Sequence, residues 1–223
     1  HIKEENANGD NTESYGSGLG LRVYNQPEAG QEPSATGKWK VVGVTNTAPV
    51  LSHKGTDASS VDARKVFPSG TSITTAMLEN LVTVGDTEDK VTNEADKPYG
   101  TPTVKIVSGL TETPGKATPA GRYTVVLKAI DSQGKESEPL TVHVGVVSTD
   151  VKYQPQVKGV NVGNSKEIPI TGVTHQNGES ITYTPIEKFT ESGKQYVLKE
   201  KGPQTAHLTD EAQVFNIEYV EDF

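Results

Sequence analysis

Cysteine is absent from the 223 residues, which excludes disulfides, thiolate metal sites and cysteine nucleophiles. Aromatic residues make up only 6% of the chain and hydrophobic residues 32%, with one tryptophan, Trp39, and one methionine, Met77. A core built from so little apolar material has to be thin and made mainly of valine. Nowhere do about 18 apolar residues run together, so no membrane-inserting helix is expected. A basic stripe is also missing. The formal net charge is −8, and Lys and Arg are scattered among carboxylates, so nothing is placed to displace counterions from a phosphate backbone and nucleic acid is not an expected partner.

Catalytic patterns are missing as well. The histidines are His1, His53, His143, His175 and His207, with no HExxH and no pair at metal-ligand spacing within one element. No serine lies in a G-x-S-x-G elbow. Gly16-Ser-Gly-Leu-Gly20 has no strand before it and no lysine placed after it, so it reads as a flexible segment and not as a phosphate loop. The expectation is a non-enzymatic protein with no cofactor.

What the chain does contain is turn chemistry, with 22 glycines and 13 prolines, and short alternating runs. In Gly121–Val147, Tyr123, Val125, Leu127 and Ala129 share one face, and Leu140, Val142, Val144 and Val146 repeat the pattern after Asp131-Ser-Gln-Gly134. This predicts an antiparallel hairpin that needs a second layer to cover it, with His143 facing solvent. Upstream, residues 1–18 read as a mobile leader, and Leu19–Tyr24 and Lys38–Asn46 as strands that either pair with each other or join a later sheet. Thr47-Ala-Pro-Val50 opens a new unit. Ser72–Asn80 reads as a short helix with threonine caps, with Ile73, Met77 and Leu78 placed to share a face; Leu81–Val84 and Thr103–Val107 read as strands.

Beyond a junction at Ser148–Asp150, strands are expected at 156–162, 167–173, 180–186, 194–199 and 214–220. Turns are expected at Asn164-Ser, Ser192-Gly, Gly202-Pro and, as the strongest hairpin signal, Asn177-Gly178. The fold class is therefore all-β: an Ig-like β-sandwich with one short helix over 46–148, a smaller β domain over 149–223, and over 1–45 a leader with strands packing on the sandwich.

The order A-P-V-L (48–51), G-T-S-I-T…L-x-N-L-V-T-V-G-D-T-E-D (70–89) and G-R-Y-T-V-V-L-K-A-I-D-S-Q-G (121–134) resembles the Ig-like and cadherin-like modules of Gram-positive surface proteins. With the N-terminal extension and the smaller β domain, it is also similar to the non-repeat binding regions of serine-rich-repeat fimbrial adhesins of oral streptococci. The resemblance implies a cell-wall-anchored, extracellular protein whose loops hold a host glycoprotein or glycan, or an adhesin on a neighbouring cell, in attachment to saliva-coated surfaces and in biofilm. The chain is then expected to be a fragment whose anchor lies outside it. The resemblance also implies that the Tyr123 hydroxyl fixes a corner at the start of its strand. Sialoglycan-binding members carry Y-T-R-Y on this strand, whereas this chain has Tyr123-Thr124-Val125-Val126, and a valine makes no charge-assisted contact with a sugar carboxylate.

Asp86, Glu88, Asp89 and Asp131 end strands expected to be neighbours, and converging carboxylates attract a hard cation, so they are the candidate calcium ligands. Without calcium they are solvated turn residues. An intramolecular Lys–Asn isopeptide bond, known in some surface adhesin domains, has Lys40, Lys128 and Asn216 as its formal candidates. The runner-up function is an accessory or spacer β-sandwich of a secreted carbohydrate-active enzyme, which an exposed cluster of aromatics would favour.

Overall fold

The computed structural model describes residues 13–15, 20–25, 39–44, 46–87, 89 and 100–223, the first three stretches as strands only. The strands described in the N-terminal part are β1 (Glu13–Tyr15), β2 (Gly20–Asn25), β3 (Trp39–Val44), β4 (Val50–His53), β5 (Lys65–Phe67), β6 (Val82–Gly85) and β7 (Thr103–Ser108), with the short helix α1 (Thr75–Glu79) between β5 and β6. They continue as β8 (Gly121–Ile130), β9 (Leu140–Val146), β10 (Val151–Val157), β11 (Val160–Asn161), β12 (Lys166–Glu167), β13 (Ser180–Tyr183), β14 (Lys188–Glu191), β15 (Lys194–Leu198), β16 (Gln204–His207) and β17 (Gln213–Asp222). Among the described residues nearly all regular structure is strand, 44% against 3% helix, so the protein is all-β and sandwich-like, as the alternating runs require. Two compact units form, each from separate segments: His1–Lys54, Glu79–Ser108 and Val126–Thr141 in the first, and Gly55–Leu78, Gly109–Val125 and Val142–Phe223 in the second.

In the first unit β1, β2 and β3 make an antiparallel sheet, so β2 and β3 pair with each other, Asn25 opposite Trp39. Glu13–Tyr15, read from sequence as part of a mobile leader, is instead a strand paired with β2; the rest of that leader lies outside the described residues. β4 pairs with β6 in antiparallel register, Leu51 opposite Val84, and β7 pairs with the second half of β8. Leu51, Leu81, Val82, Val104, Leu127 and Ala129 are buried there, the last two completely. Each fully buried valine or leucine stabilises by about 1.5–3 kcal/mol, so this alternation of β8 is what fixes its register.

β8 and β9 are neighbours in the strand order β5-β9-β8-β7, as the hairpin reading requires, and the backbone bond from Ser137 N to Ala129 O (2.8 Å) closes its turn end. On the Val142–Val146 half the buried side chains are Val142, Val144 and Val146. The intervening His143 is half-buried, not solvent-facing, and its N–H donates to Ala58 O at 2.8 Å. β5 then lies parallel to β9, Lys65 opposite Val144, a pairing that the polar composition of 52–67 conceals.

The helix is capped as expected. Thr74 Oγ1 accepts from Met77 N at 3.3 Å, while Ile73 and Leu78 are fully buried and Met77 half-buried.

The C-terminal part of the second unit holds two sheets, one ordered β11-β10-β17-β15-β14 with β12 on β10, the other β13-β16. Val147, Val151, Tyr153, Ile168, Tyr183, Ala206 and Leu208 form the buried cluster, and the rings of Tyr153, Tyr183 and Phe215 stack at 6.0 and 6.1 Å. β10 and β17 are parallel, Tyr153 opposite Phe215. Pro155 sits inside β10 because pairing on the other side changes there from β12 at Lys152 and Tyr153 to β11 at Gln156 and Val157. Its missing N–H falls in that gap. This explains why the strand starts at Val151 while the sequence reading placed it after the proline.

Hairpin turns also differ from expectation. Asn177-Gly178 is a turn, with Gly178 at φ +81°, yet it joins no hairpin: β13 pairs with β16, Ser180 opposite His207. The segment before it has its backbone groups engaged by Ser69 and forms no strand. The tight two-residue hairpins are at Ser192-Gly193 and Lys158-Gly159, where both residues of each pair have positive φ, as a type I′ turn demands.

Gly109 follows β7 at φ +90°, and a Cβ there would lie 1.9 Å from Thr124 O. Gly109→Ala is expected to combine a left-handed penalty of about 1–2 kcal/mol with a backbone clash, whereas Gly115→Ala, at φ +76° with open space around it, incurs the first alone. Denaturant unfolding of the two variants side by side measures the difference.

Candidate functional site

The acidic pole assembles in the first unit, from the loop after β6 and the turn after β8. Asp131 Oδ1 accepts from the backbone N–H groups of Gln133 (3.0 Å) and Lys135 (2.7 Å), and its Oδ2 accepts from Asn46 Nδ2 at 2.8 Å. Asp89 Oδ2 and Oδ1 accept from Ser132 N and Ser132 Oγ, both at 2.9 Å, and Asp89 N donates to Asp86 Oδ1 at 2.8 Å. Asp86, Asp89 and Asp131 are thus buried together, and these carboxylate oxygens are turned to N–H and O–H donors that hold one loop on the other. Glu88, the fourth calcium candidate, lies outside the described residues. Among the described residues no group of three or more His, Asp or Glu side chains is arranged to hold a metal ion.

A carboxylate accepting several N–H bonds contributes through charge-assisted hydrogen bonds. Asp131→Ala is therefore expected to destabilise the protein by about 2–3 kcal/mol. Chelator is expected to leave the melting temperature of the parent protein unchanged, since these donors already supply the compensating positive dipoles.

The Thr111–Pro119 loop belongs to the second unit and is fastened at both ends. Ser72 Oγ donates to Thr113 O at 3.1 Å, Thr118 N donates to Thr71 O at 2.8 Å, and Thr118 Oγ1 accepts from Ile73 N at 2.9 Å. Thr75 N donates to Glu112 Oε1, and hydrogen bonding from the Thr75 side chain together with this backbone bond holds the Glu112 carboxyl below its ordinary range. Internally, Lys116 N bonds Thr113 O at 3.0 Å. The loop thus has a fixed base, while Pro114, Gly115, Lys116 and Ala117 are exposed. At its downstream edge the Tyr123 hydroxyl donates to Pro119 O at 2.6 Å, which is the corner expected of that tyrosine.

Beside this base, Ser69 joins a second segment to the surface. Its Oγ donates to Val173 O at 2.6 Å and accepts from His175 N at 2.8 Å, while its N–H donates to His175 O at 3.0 Å. The imidazole of His175 meets Glu179 and Gly172 O. Serine, histidine and glutamate come close here, but the hydroxyl is committed to backbone and not to the ring, so no base activates it.

The second unit is tied internally by Asp210, whose side chain is 2% exposed. Arg64 Nε donates to Oδ2 at 2.8 Å and Arg122 Nε to Oδ1 at 3.2 Å; Arg122 Nη2 also reaches Glu211 at 3.0 Å. Gly145 packs on this carboxylate so closely that a Cβ would sit 2.3 Å from Oδ2. Sequence reading missed the cluster, although two of the chain's three arginines are in it. Asp210→Ala removes the charge-assisted bonds from Arg64 and Arg122 but leaves guanidinium groups that water reaches, 17% and 43% exposed, so it is expected to destabilise the protein by about 1.5–3 kcal/mol in denaturant unfolding.

The remaining expected features are dispersed. His53 Nε2 contacts Thr141 O at 2.7 Å, and His207 Nδ1 contacts Ser180 Oγ at 3.2 Å. Lys128 pairs with Glu136 at 3.2 Å, and Asn216 is exposed on β17. His1 and Gly16–Leu19 lie outside the described residues. Of the ring side chains described, Tyr153, Tyr183 and Tyr219 are buried and Phe67, Tyr123, Phe189, Tyr196 and Phe215 half-buried; Phe223 alone is exposed. Burial raises the Tyr219 hydroxyl pKa, and that hydroxyl donates to Ile186 O at 2.6 Å. A groove of about 250 Å³ beside β17 is lined by Leu198, Lys199, Glu200, Gln204, Asn216 and Glu218. It contains no ring on which a sugar could stack. No helix among the described residues is long and apolar enough to cross a membrane. Compared with models of protein families, with curated proteins and with solved structures, the chain matches none.

Proposed function

We propose that the chain is a non-enzymatic adhesive fragment of a bacterial cell-wall-anchored surface protein. It holds a host glycoprotein or glycan, or an adhesin on a neighbouring cell, and so serves attachment and biofilm formation. The observation that carries this reading is the Thr111–Pro119 loop, whose base is fixed by bonds to Thr71, Ser72 and Ile73 while its apex is presented to solvent. A loop ordered before contact loses little conformational entropy on binding, which is how a rigid scaffold gains affinity from a small surface. The net charge of −8 favours a neutral or basic partner.

Most of the described aromatic rings are buried or half-buried, and Phe189 and Tyr196, half-buried and stacked at 5.3 Å, line a groove of about 160 Å³, which falls short of the exposed cluster that would favour an accessory module binding polysaccharide. A spacer remains the competing role, and binding separates the two.

Immobilised on a sensor, the protein is expected to bind saliva-coated surfaces or a member of a glycan array. Pro114→Gly combined with Lys116→Ser, which alters only exposed positions, is expected to weaken that binding about tenfold with the melting temperature nearly unchanged. No binding to any such surface would remove the adhesive reading and leave the spacer; undiminished binding by the double variant would move the contact off this loop.

A further inference from the structure

We propose that His175 is a proton-operated latch on the surface that carries the Thr111–Pro119 loop, closed when its ring is an imidazolium and open when it is neutral. The biological use of this latch rests on the adhesive reading; its physics does not.

The geometry of the ring is the starting point. Nδ1 faces Glu179 Oε2, and Nε2 lies 3.2 Å from Gly172 O. Both nitrogens therefore point at acceptors. A neutral imidazole has one N–H and one lone pair, so whichever tautomer it adopts, a lone pair is set against an oxygen; the imidazolium alone donates to both.

The backbone of the same residue is part of the seam with Ser69, through His175 N to Ser69 Oγ at 2.8 Å, Ser69 Oγ to Val173 O at 2.6 Å, and Ser69 N to His175 O at 3.0 Å. Apolar burial does little to keep this strap down. Val173 is 74% exposed, and it touches Gly70, where a Cβ would come within 2.9 Å of Val173 Cγ1. Polar bonds thus supply most of the hold, and the ring closes one end of them. From Ser69 the connections continue in a few residues: Thr71 Oγ1 donates to Pro68 O at 2.7 Å, Thr71 O accepts from Thr118 N at 2.8 Å, and Thr118 Oγ1 accepts from Ile73 N at 2.9 Å. The base of the presented loop is therefore on the far side of the strap's attachment.

Glu179 is the charged group that faces the ring. Pro68–Thr75, the segment packed against the strap, has no titratable side chain, and His207 on β16 contacts Ser180 Oγ and Gly178 O instead. In keeping with this geometry, the hydrogen bond to Glu179 raises the His175 pKa above its ordinary 6.5, and the bond from His175 lowers the Glu179 pKa below 4.5. A raised histidine contributes stability that is complete below its unfolded value and is lost as pH climbs through the folded one. A depressed glutamate contributes stability that is complete above its unfolded value and is lost as pH falls through the folded one. The latch is thus closed in mildly acidic solution and opens towards alkaline pH.

Amide hydrogen exchange on the whole chain, corrected for the intrinsic pH dependence of exchange, tests this without any ligand. Between about pH 5.5 and about pH 8.5, protection at the His175 and Ser69 amides is expected to fall about tenfold and at Thr118 in the same direction, while Tyr153 and Phe215 in the β10–β17 ladder stay constant. Glu179→Gln and, separately, His175→Gln are expected to flatten the profile. A flat profile in the parent protein, or an unchanged one in Glu179→Gln, overturns the latch. Binding to saliva-coated surfaces over the same range separates the two proposals. The exchange transition without binding at any pH upholds the latch and removes the adhesive reading; binding with pH-flat exchange does the reverse.

Discussion

The second unit depends on the meeting of Arg64 and Arg122 on one buried carboxylate, Asp210. Each partner comes from a different stretch: Arg64 immediately precedes β5, Arg122 opens β8, and Asp210 lies between β16 and β17, with Gly145 of β9 pressed against it. A valine-built core is non-directional, so it favours compactness without dictating which segment lies where. The fork of a guanidinium and the lone pairs of a carboxylate are directional. Together with the parallel pairing of β5 and β9, this contact places three distant pieces of chain in one arrangement. The strap at Gly172–His175 and the Thr111–Pro119 loop lie in the same unit as this arrangement.

Much of the β architecture was legible because the chain alternates cleanly where it is buried on one face. Val125, Leu127 and Ala129 in β8 and Val142, Val144 and Val146 in β9 show it, and the capped turn at Thr74 was legible from its threonines. What sequence could not show was partnership at long range. Nothing in the local pattern around Lys65–Phe67 distinguishes an isolated apolar dipeptide from a strand parallel to β9. Asn177-Gly178 has the strongest hairpin chemistry in the chain, yet its N-terminal flank is bound to Ser69, more than a hundred residues earlier. Conversely, Ser192-Gly193 is a weaker signal that becomes a hairpin because strands on both sides find register, and Lys158-Gly159 closes another hairpin inside what the sequence reading takes as one strand, 156–162.

The same limit applies to the functional surfaces. The carboxylates Asp86, Asp89 and Asp131 do converge as their positions at strand ends suggested, but the donors that surround them, Asn46, Ser132 and the Gln133 and Lys135 amides, are unremarkable in sequence. His175 looked like one more dispersed histidine. Its significance comes from what both ring nitrogens face, and a carbonyl such as that of Gly172 leaves no trace in residue identity. The Tyr123 corner was legible in advance because the oxygen it needs, Pro119 O, is local in the chain.

The parallel alignment of β10 and β17 has a mechanical consequence. The chain enters this pair at Val151 and leaves it at Asp222, and these points lie at opposite ends of the ladder whose six rungs run from Val151–Gln213 to Gln156–Glu218. Tension transmitted along the backbone therefore loads those rungs in shear, all at once, and does not peel them one after another as it would in a hairpin. Forced unfolding is governed by the unfolding rate, so this small sheet resists pulling more strongly than its equilibrium stability alone would suggest.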